Sequence, residues 1–277
     1  MSSRNSVNII RLVLAVFLAI GINSAQGQAL TGTLVVAVPV SDGIVVCTDK
    51  RLYNSEARTF TDNSVKIRMA GDNALFAATN TVGFYDPKAH AVAFDAFEVT
   101  SRYVSENAFS DSPRFWNGLK QRIADDLRKY LAQRTFAEWP ESNRANNDLL
   151  FNLVFFSIDG SRRSSHTLRV YYKKARTPVI NVSGPIREEV KSPKLSGKGT
   201  ELVRYFDQNP SAAQDPAIHR FDPSRFDAQQ TTPAEAVDFA GRLFRIASMR
   251  LPQAHISSTF DCASLSDESG FKWIRQN

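Results

Sequence analysis

The sequence has few of the residues that metal sites and disulfide networks need. Its 277 residues include two cysteines, Cys47 and Cys262, and four histidines. The cysteines are far apart, and neither belongs to a C-x-x-C pair. No ligand spacing relates the histidines, which are His90, His166, His219 and His255. We therefore expect no bound metal and no cofactor, and we interpret the histidines as surface or core residues.

The sequence also lacks the motifs of several common enzyme classes. It contains neither the G-x-S-x-G nucleophile elbow nor the H-E-x-x-H zinc motif. The glycine-rich segment SGKGT, residues 196–200, has the wrong spacing for a phosphate-binding loop, because Lys198 is followed by Gly199. The sequence does not exclude a Ser-His-Asp catalytic triad, because the members of a triad can lie far apart in sequence.

Charge of one sign is not concentrated in any part of the chain. The 34 basic and 28 acidic residues give a formal net charge of +6, and this excess is spread along the sequence. Proteins that bind nucleic acid usually carry a clustered basic patch. We therefore expect no nucleic-acid partner.

The chain after its N-terminal segment contains no apolar run that is long enough for a membrane helix. The run at residues 12–22 (LVLAVFLAIGI) follows a segment with two arginines, residues 1–11, and precedes a small polar segment, residues 23–29. This order is typical of a cleavable secretory signal peptide, and the run is short for a membrane span. We expect a periplasmic or secreted protein with a signal peptide at 1–29, a single domain at 30–277 and no stable membrane span after cleavage. A retained membrane anchor and a buried N-terminal helix are the alternatives.

Strand patterns occur in three blocks along the chain. Residues 31–40 (TGTLVVAVPV) and 44–49 are β-branched runs around a Ser-Asp-Gly turn, which predicts a hairpin. A second hairpin is predicted from residues 65–69 and 74–79. The run at 149–158 is so apolar that we expect a central strand covered on both faces. Further strands are predicted at 167–172, 179–183, 259–265 and 271–274.

Two helices are marked by their first residues. Ser112 and Pro113 begin a helix in which apolar residues recur at every fourth position up to Leu131. Residues 232–235 (TPAE) form a capping box that predicts a helix ending near Arg250. Between residues 207 and 231 the chain is polar and contains three prolines, which we interpret as a surface insertion. Strands and helices are thus grouped in blocks, which favours an α+β fold of two sheets with helices packed outside.

The opening of the predicted domain resembles that of proteasome β-subunits, which are N-terminal-nucleophile hydrolases. TGTLVVAVPVSDGIVVCTDKR, residues 31–51, is similar to the family's first hairpin, and NSVKIRMAGDNALFAAT, residues 63–79, is similar to its second. The later predicted elements follow the family's order to about residue 275. The resemblance implies a four-layer αββα sandwich of the N-terminal-nucleophile hydrolase type, and it is compatible with a homo-oligomer.

The resemblance also implies a set of catalytic residues. Thr31 corresponds to the nucleophile and Lys66 to the catalytic lysine. Asp49 and Arg51 correspond to the acid and the arginine at the end of the second strand. The turn near Ala78 would supply a backbone N–H to the oxyanion.

The chemistry of such a site can be stated from its residue types. A free α-amine on the nucleophilic threonine can act as its base, since the ordinary pKa of that amine is about 7.7 to 8.0. The ammonium of Lys66 would lower this pKa, and Asp49 would hold the lysine in place. The predicted reaction is therefore hydrolysis of a peptide or of a small amide. A non-catalytic, proteasome-like binding or assembly protein is the alternative, and a different amidase on the same scaffold is the third hypothesis.

Removal of the signal peptide alone would not expose Thr31. Small residues at the positions that signal peptidase reads allow cleavage after Gly27 or after Ala29, which leaves Gln28 or Leu30 as the first residue. Further trimming is then needed before Thr31 carries a free amine.

The family's strand order implies a neighbour for each cysteine. It would place the strands at 44–49 and 259–265 side by side, with the Cα atoms of Cys47 and Cys262 within about 7 Å, close enough for a disulfide. An oxidising compartment would allow the bond to form. Two buried thiols are the alternative.

Overall fold

The structure is a computed structural model that describes residues 28–31, 33–54, 59–86, 91–132, 148–173 and 179–275. Residues 1–27 of the predicted signal peptide and His90 lie outside the described residues. Among the residues that are described, no helix is both long enough and apolar enough to cross a membrane.

The strands form three antiparallel sheets of five strands each within the described part of the chain. Sheet 1 contains, in spatial order, β13 (Lys194–Gly197), β2 (Leu34–Val40), β3 (Gly43–Asp49), β14 (Phe260–Ser266) and β15 (Gly270–Arg275). Sheet 2 contains β12 (Val179–Glu189), β11 (Arg162–Lys173), β10 (Leu149–Asp159), β7 (Ala74–Asn80) and β6 (Ile67–Gly71). Sheet 3 contains β5 (Thr59–Thr61), β4 (Leu52–Asn54), β1 (Gln28–Thr31), β8 (Gly83–Asp86) and β9 (Ala91–Asp95).

Six α-helices occur among the described residues. They are α1 (Ala96–Glu106), α2 (Pro113–Ala132), α3 (Gly199–Gln208), α4 (Pro210–Ala213), α5 (Pro216–His219) and α6 (Pro233–Arg250). Helix α2 begins at Pro113, as its sequence pattern predicts. The capping box at the start of α6 is also confirmed, since the Thr232 hydroxyl accepts a hydrogen bond from the N–H of Glu235, whose carboxylate accepts one from the N–H of Thr232.

Three clusters of buried apolar side chains hold these elements together. Helices α1 and α2 cover one face of sheet 2 through residues such as Trp116 and Phe155. The other face of sheet 2 packs against sheet 1, where Phe156 and Ile44 belong to one cluster. Helix α6 covers the remaining face of sheet 1, for example through Phe244. The fold class is therefore α+β, and β10 is a central strand buried on both faces, as predicted.

Sheet 3 was not predicted from the sequence. Its strands have three to five residues each, so they are too short to show an alternating pattern. The predicted strand at 31–40 is in fact divided, because Thr31 ends β1 in sheet 3 and Leu34 begins β2 in sheet 1. The predicted surface insertion at 207–231 contains α4 and α5, and it contributes Ile218 and Phe221 to the cluster beneath α6.

The two cysteines form a disulfide. Cys47 of β3 and Cys262 of β14 are directly opposed in the strand ladder, with their Cα atoms 4.1 Å apart. The prediction that they lie close enough to bridge is confirmed, and the alternative of two free thiols is wrong. The bond joins an early strand of sheet 1 to a late one across a sequence separation of 215 residues.

Candidate functional site

Asp49, the last residue of β3, is the centre of a buried polar cluster. Its carboxylate has no exposed surface. The Oδ1 atom accepts a hydrogen bond of 2.8 Å from the N–H of Leu34. The Oδ2 atom accepts bonds of 3.1 Å from the N–H of Arg51 and from the ammonium of Lys66. These three donors compensate the carboxylate for its lost hydration.

Lys66 stands one residue before β6 and is also fully buried. Its ammonium donates hydrogen bonds to Asp49 and to the carbonyl oxygen of Arg51. Burial lowers the pKa of Lys66, while the neighbouring Asp49 carboxylate opposes this effect. A buried ion pair is weak evidence for fold stability because its desolvation is costly, and titratable groups with shifted pKa values cluster at functional sites. The Asp49–Lys66 pair is therefore a candidate for function.

Thr33 is the threonine that lies beside this pair. It directly precedes Leu34, whose N–H is bound to Asp49. Thr33 is fully buried, and its carbonyl oxygen accepts a hydrogen bond of 3.1 Å from the N–H of Lys198. The backbone around Thr33 is thus fixed by β3 on one side and by the turn before α3 on the other.

The structure places Thr31 in a different sheet. Thr31 lies two residues before Thr33 in the sequence, and its backbone is paired with that of Tyr53 in β4. The ladder between β2 and β3 begins only at Val35, opposite Thr48. A continuous β-branched run cannot show where a chain passes from one sheet to another. The glycine between the two threonines of the TGT segment was the available signal, because an isolated glycine in a strand pattern often marks an irregularity.

Arg51 contributes to the site mainly through its backbone. Its N–H binds Asp49, and its carbonyl oxygen binds Lys66. The guanidinium points elsewhere and makes two hydrogen bonds of 2.7 Å to the carboxylate of Asp62. These bonds raise the pKa of Arg51 and lower the pKa of Asp62. The side chain of Arg51 therefore fixes the turn that carries the two backbone groups.

Ala78 lies inside β7 with its side chain in the cluster that faces the helices. The neighbouring Thr79 lies close to the glycine-rich turn. A methyl group added to Gly197 would lie 2.2 Å from the carbonyl oxygen of Thr33 and 2.9 Å from the Cβ atom of Thr79. Gly197 also has a φ angle of +69°, which favours glycine. The absence of a side chain at Gly197 therefore allows the glycine-rich turn to lie close to both Thr33 and Thr79.

A cavity of about 650 Å³ opens beside this turn, and Gly197 and Lys198 belong to its lining. Near the same turn, the rings of Tyr53 and His255 are stacked with their centroids 3.8 Å apart. Burial lowers the pKa of His255, and the charges of Lys198 and Arg51 lower it further. The imidazole is therefore neutral at pH 7.

A second cluster of polar side chains is formed by residues that no sequence motif had related to one another. The Ser157 hydroxyl lies 3.3 Å from Nε2 of His166, whose Nδ1 lies 3.4 Å from a carboxylate oxygen of Asp111. The His166 ring has no exposed surface and packs between Trp116 and Phe109. Burial lowers the pKa of His166, although Asp111 opposes this effect. The order of groups is that of a Ser-His-Asp triad, but the enclosed ring favours a structural role.

No group of three or more histidine, cysteine or acidic side chains that could hold a metal ion occurs within the described ranges. The chain matches no family model. It also matches no curated protein. A solved structure of an Anbu mutant from Hyphomicrobium sp. strain MC1 is similar, with a TM-score of 0.44 and 13% sequence identity over 89% of this chain and 86% of that chain. A likeness at this level carries no functional conclusion.

Proposed function

We propose that the protein is an exported N-terminal-nucleophile hydrolase of the proteasome β-subunit type, with Thr33 rather than Thr31 as its nucleophile. The single observation that carries the proposal is the Asp49 carboxylate, which binds both the Lys66 ammonium and the N–H of the residue after Thr33. The three packed clusters support the finer architecture of a four-layer αββα sandwich.

The proposed mechanism requires cleavage of the bond between Gly32 and Thr33. The Thr33 hydroxyl attacks the carbonyl carbon of Gly32, the C–N bond breaks, and the acyl group passes to the hydroxyl oxygen as an ester. Water then hydrolyses this ester, which leaves a carboxylate on Gly32 and a free amine on Thr33. That amine is the base for the following reactions, in which the same hydroxyl attacks a substrate amide.

The other groups of the site have separate roles in this proposal. The Lys66 ammonium lowers the pKa of the Thr33 amine, so that the amine is neutral near pH 7. Asp49 positions the lysine. The backbone N–H of Ala78 in β7 is the proposed oxyanion donor, because this part of the strand lies close to Gly197 and Thr33, whereas the N–H of Thr79 is directed to Asn152 of β10.

The pairing of strand β1 is evidence that the substrate is a peptide. Leu30 is paired with Asn54 of β4 on one side and with Gly83 of β8 on the other. An extended chain is thus held between two antiparallel strands, just before the nucleophile. After cleavage at Gly32, a substrate peptide can take the same position by strand addition.

Export is supported by the disulfide, since such bonds persist in oxidising compartments. It is also supported by the order of charged, apolar and small residues in 1–29. Of the two cleavage sites, the one after Gly27 leaves β1 intact, because β1 begins at Gln28. The mature precursor would then carry the five residues 28–32 ahead of Thr33.

One observation favours the alternative of a non-catalytic binding or assembly protein. Thr33 is fully buried in the intact chain, where its nitrogen is part of a peptide bond. A protein that is never cleaved at Gly32 would lack the free α-amine that the mechanism uses as its base. The state of the N-terminus therefore separates the two functions.

The test combines N-terminal sequencing of protein from the exported fraction with an assay on a panel of peptide amides. We expect wild-type protein to begin at Thr33 and to be active. Thr33→Ala should retain residues 28–32 and show no activity, while the matched variant Thr31→Ala should be processed and active. Activity in Thr33→Ala, or in a chain that begins at Gln28 or Leu30, would reject the mechanism. A wild-type chain that stays uncut and inactive would support the binding or assembly protein.

A further inference from the structure

The cavity beside Gly197 lies between sheet 2 and the junction of β13 with α3. We call it the corner pocket. One side is lined by residues of β10, β11 and β12, among them Asn152 and Thr167. The other side is lined by Gly197 and Lys198, both of which contact the backbone of Thr33. The corner pocket and the proposed nucleophile thus share a wall.

Basic side chains outnumber acidic ones in this lining. The basic residues are Arg169, Lys194, Lys198 and Arg204, and the acidic residues are Glu188 and Glu201. A cavity with an excess of positive charge attracts anions, because its low-dielectric walls concentrate the field.

The excess charge belongs to the two arginines. Lys194 forms an ion pair with Glu188, and Lys198 forms one of 2.7 Å with Glu201. Arg169 and Arg204 have no ion pair or side-chain hydrogen bond to any residue that the structure describes. Arg169 projects from β11 at the position opposite Asn152, while Arg204 lies on α3 across the pocket. Both guanidinium groups therefore belong to the lining of one cavity, and neither has a charged partner within the described part of the chain.

Two further polar features of the lining bear on the chemistry of a ligand. The Oδ1 atom of Asn152 is buried without a hydrogen-bond partner among the described residues, whereas its Nδ2 donates to the hydroxyl of Thr79. Helix α3 begins behind Lys198 without a side-chain cap. An uncapped helix start favours a negative charge, and a lone amide oxygen accepts an N–H donor. A ligand that combines a carboxylate with a peptide N–H satisfies both.

We propose that the corner pocket recognises a carboxylate of the peptide substrate and that Arg169 and Arg204 bind it. The inference rests on the proposed function for the identity of the ligand as a substrate. Arginine suits this task because its planar donors match the two oxygens of a carboxylate. The carboxylate can belong to an acidic side chain or to the C-terminus of the peptide, and both present the same chemistry.

Binding can be tested without catalysis in the full chain with Thr33→Ala. Calorimetric titrations with acetyl-glutamate amide and acetyl-glutamine amide examine a side-chain carboxylate, and acetyl-alanine with acetyl-alanine amide examine a C-terminal one. We expect at least one charged probe to bind about tenfold more tightly than its neutral partner, and to weaken as salt is added. The pair that shows the difference identifies the source of the carboxylate. Equal binding within both pairs would overturn the proposal.

The arginines are tested by the double variant Arg169→Gln/Arg204→Gln in the same background. It should lose the preference for the charged probe, while Arg225→Gln, an exposed arginine outside the pocket lining, should keep it. An unchanged preference in the double variant would overturn the assignment. Because both arginines are exposed at the surface of the fold, thermal unfolding should be the same in all three proteins, which confirms that folding is intact.

Hydrolysis separates this inference from the proposed function. Processed wild-type enzyme should cleave glutamate-containing peptides about tenfold faster, in kcat/KM, than the matched glutamine peptides, provided that the side-chain probe is the one that binds. Cleavage without any charge preference would reject carboxylate recognition by the corner pocket but would be consistent with the proposed hydrolase. Carboxylate binding by a protein that cleaves no peptide would be consistent with the proposed role of the corner pocket and would reject the proposed hydrolase.

Discussion

At the level of single residues, the mechanism that we propose for the site depends on two protons. The Thr33 amine must lose its proton to act as a base, and Lys66 must keep its own to hold that amine neutral. The first requirement makes activity rise with pH and the second makes it fall. Because burial lowers the pKa of Lys66, the fall should begin below the ordinary range of lysine. We therefore expect a bell-shaped dependence of kcat/KM on pH in the processed enzyme.

The alkaline limb of this profile can be assigned with the double variant Lys66→Met/Asp49→Asn. Removing both charges avoids a lone buried carboxylate, whose cost would otherwise obscure the result. The variant should lose about 10² to 10⁴ in rate, and its remaining activity should no longer fall at high pH. Circular dichroism provides the folding control. An alkaline limb that survives in the double variant would show that a different group carries it.

Gly197 allows a sharp test of the contact between β2, β7 and the glycine-rich turn. Gly197→Ala should destabilise the fold by about 1 to 3 kcal/mol beyond the strain of a left-handed residue, because its methyl group meets the carbonyl oxygen of Thr33 and the side chain of Thr79. Gly160→Ala is the matched control, with a φ angle of +56° and no heavy atom within 4 Å of the added methyl. Urea unfolding of both variants measures the difference. Equal losses would contradict the close approach.

At the level of elements, the sequence patterns located the long strands and helices but not their sheet membership. Strand β10 and helices α2 and α6 were predictable because burial, periodicity and capping are local signals. The strands of sheet 3 were not, since pairing between distant short segments leaves no local pattern. The resemblance to proteasome β-subunits supplied Asp49 and Lys66, which the structure brings together. It indicated Thr31 and not Thr33, the nucleophile that we propose, because the chain changes sheets between the two threonines.

Strand β1 has two neighbours in sheet 3, and this has an energetic consequence for processing. Its removal breaks pairing with β4 and with β8 and leaves the facing edges of those strands without partners. The cleavage that we propose would therefore make sheet 3 more open than it is in the precursor. Hydrogen exchange at residues 52–54 and 83–86 is the natural measure of that change.

At the level of the whole molecule, the disulfide stabilises the pairing of β3 with β14. Reduction of the wild-type protein should lower its free energy of unfolding by about 2 to 5 kcal/mol. The double variant Cys47→Ala/Cys262→Ala should respond to no reductant, which makes it the control for side effects of the reagent. Urea unfolding with and without dithiothreitol measures both. A wild-type protein whose stability is the same in both conditions would contradict a structural role for the bond.

The same bond turns most of the domain into a closed covalent circle, since it links residues 47 and 262 and leaves only residues 1–46 and 263–277 outside. A protease that cuts one peptide bond inside this circle opens it without releasing a fragment. The product keeps the mass of the intact chain, plus one water, until a reductant is added. The chain can therefore be nicked once in an exposed loop of this circle while its two halves stay attached.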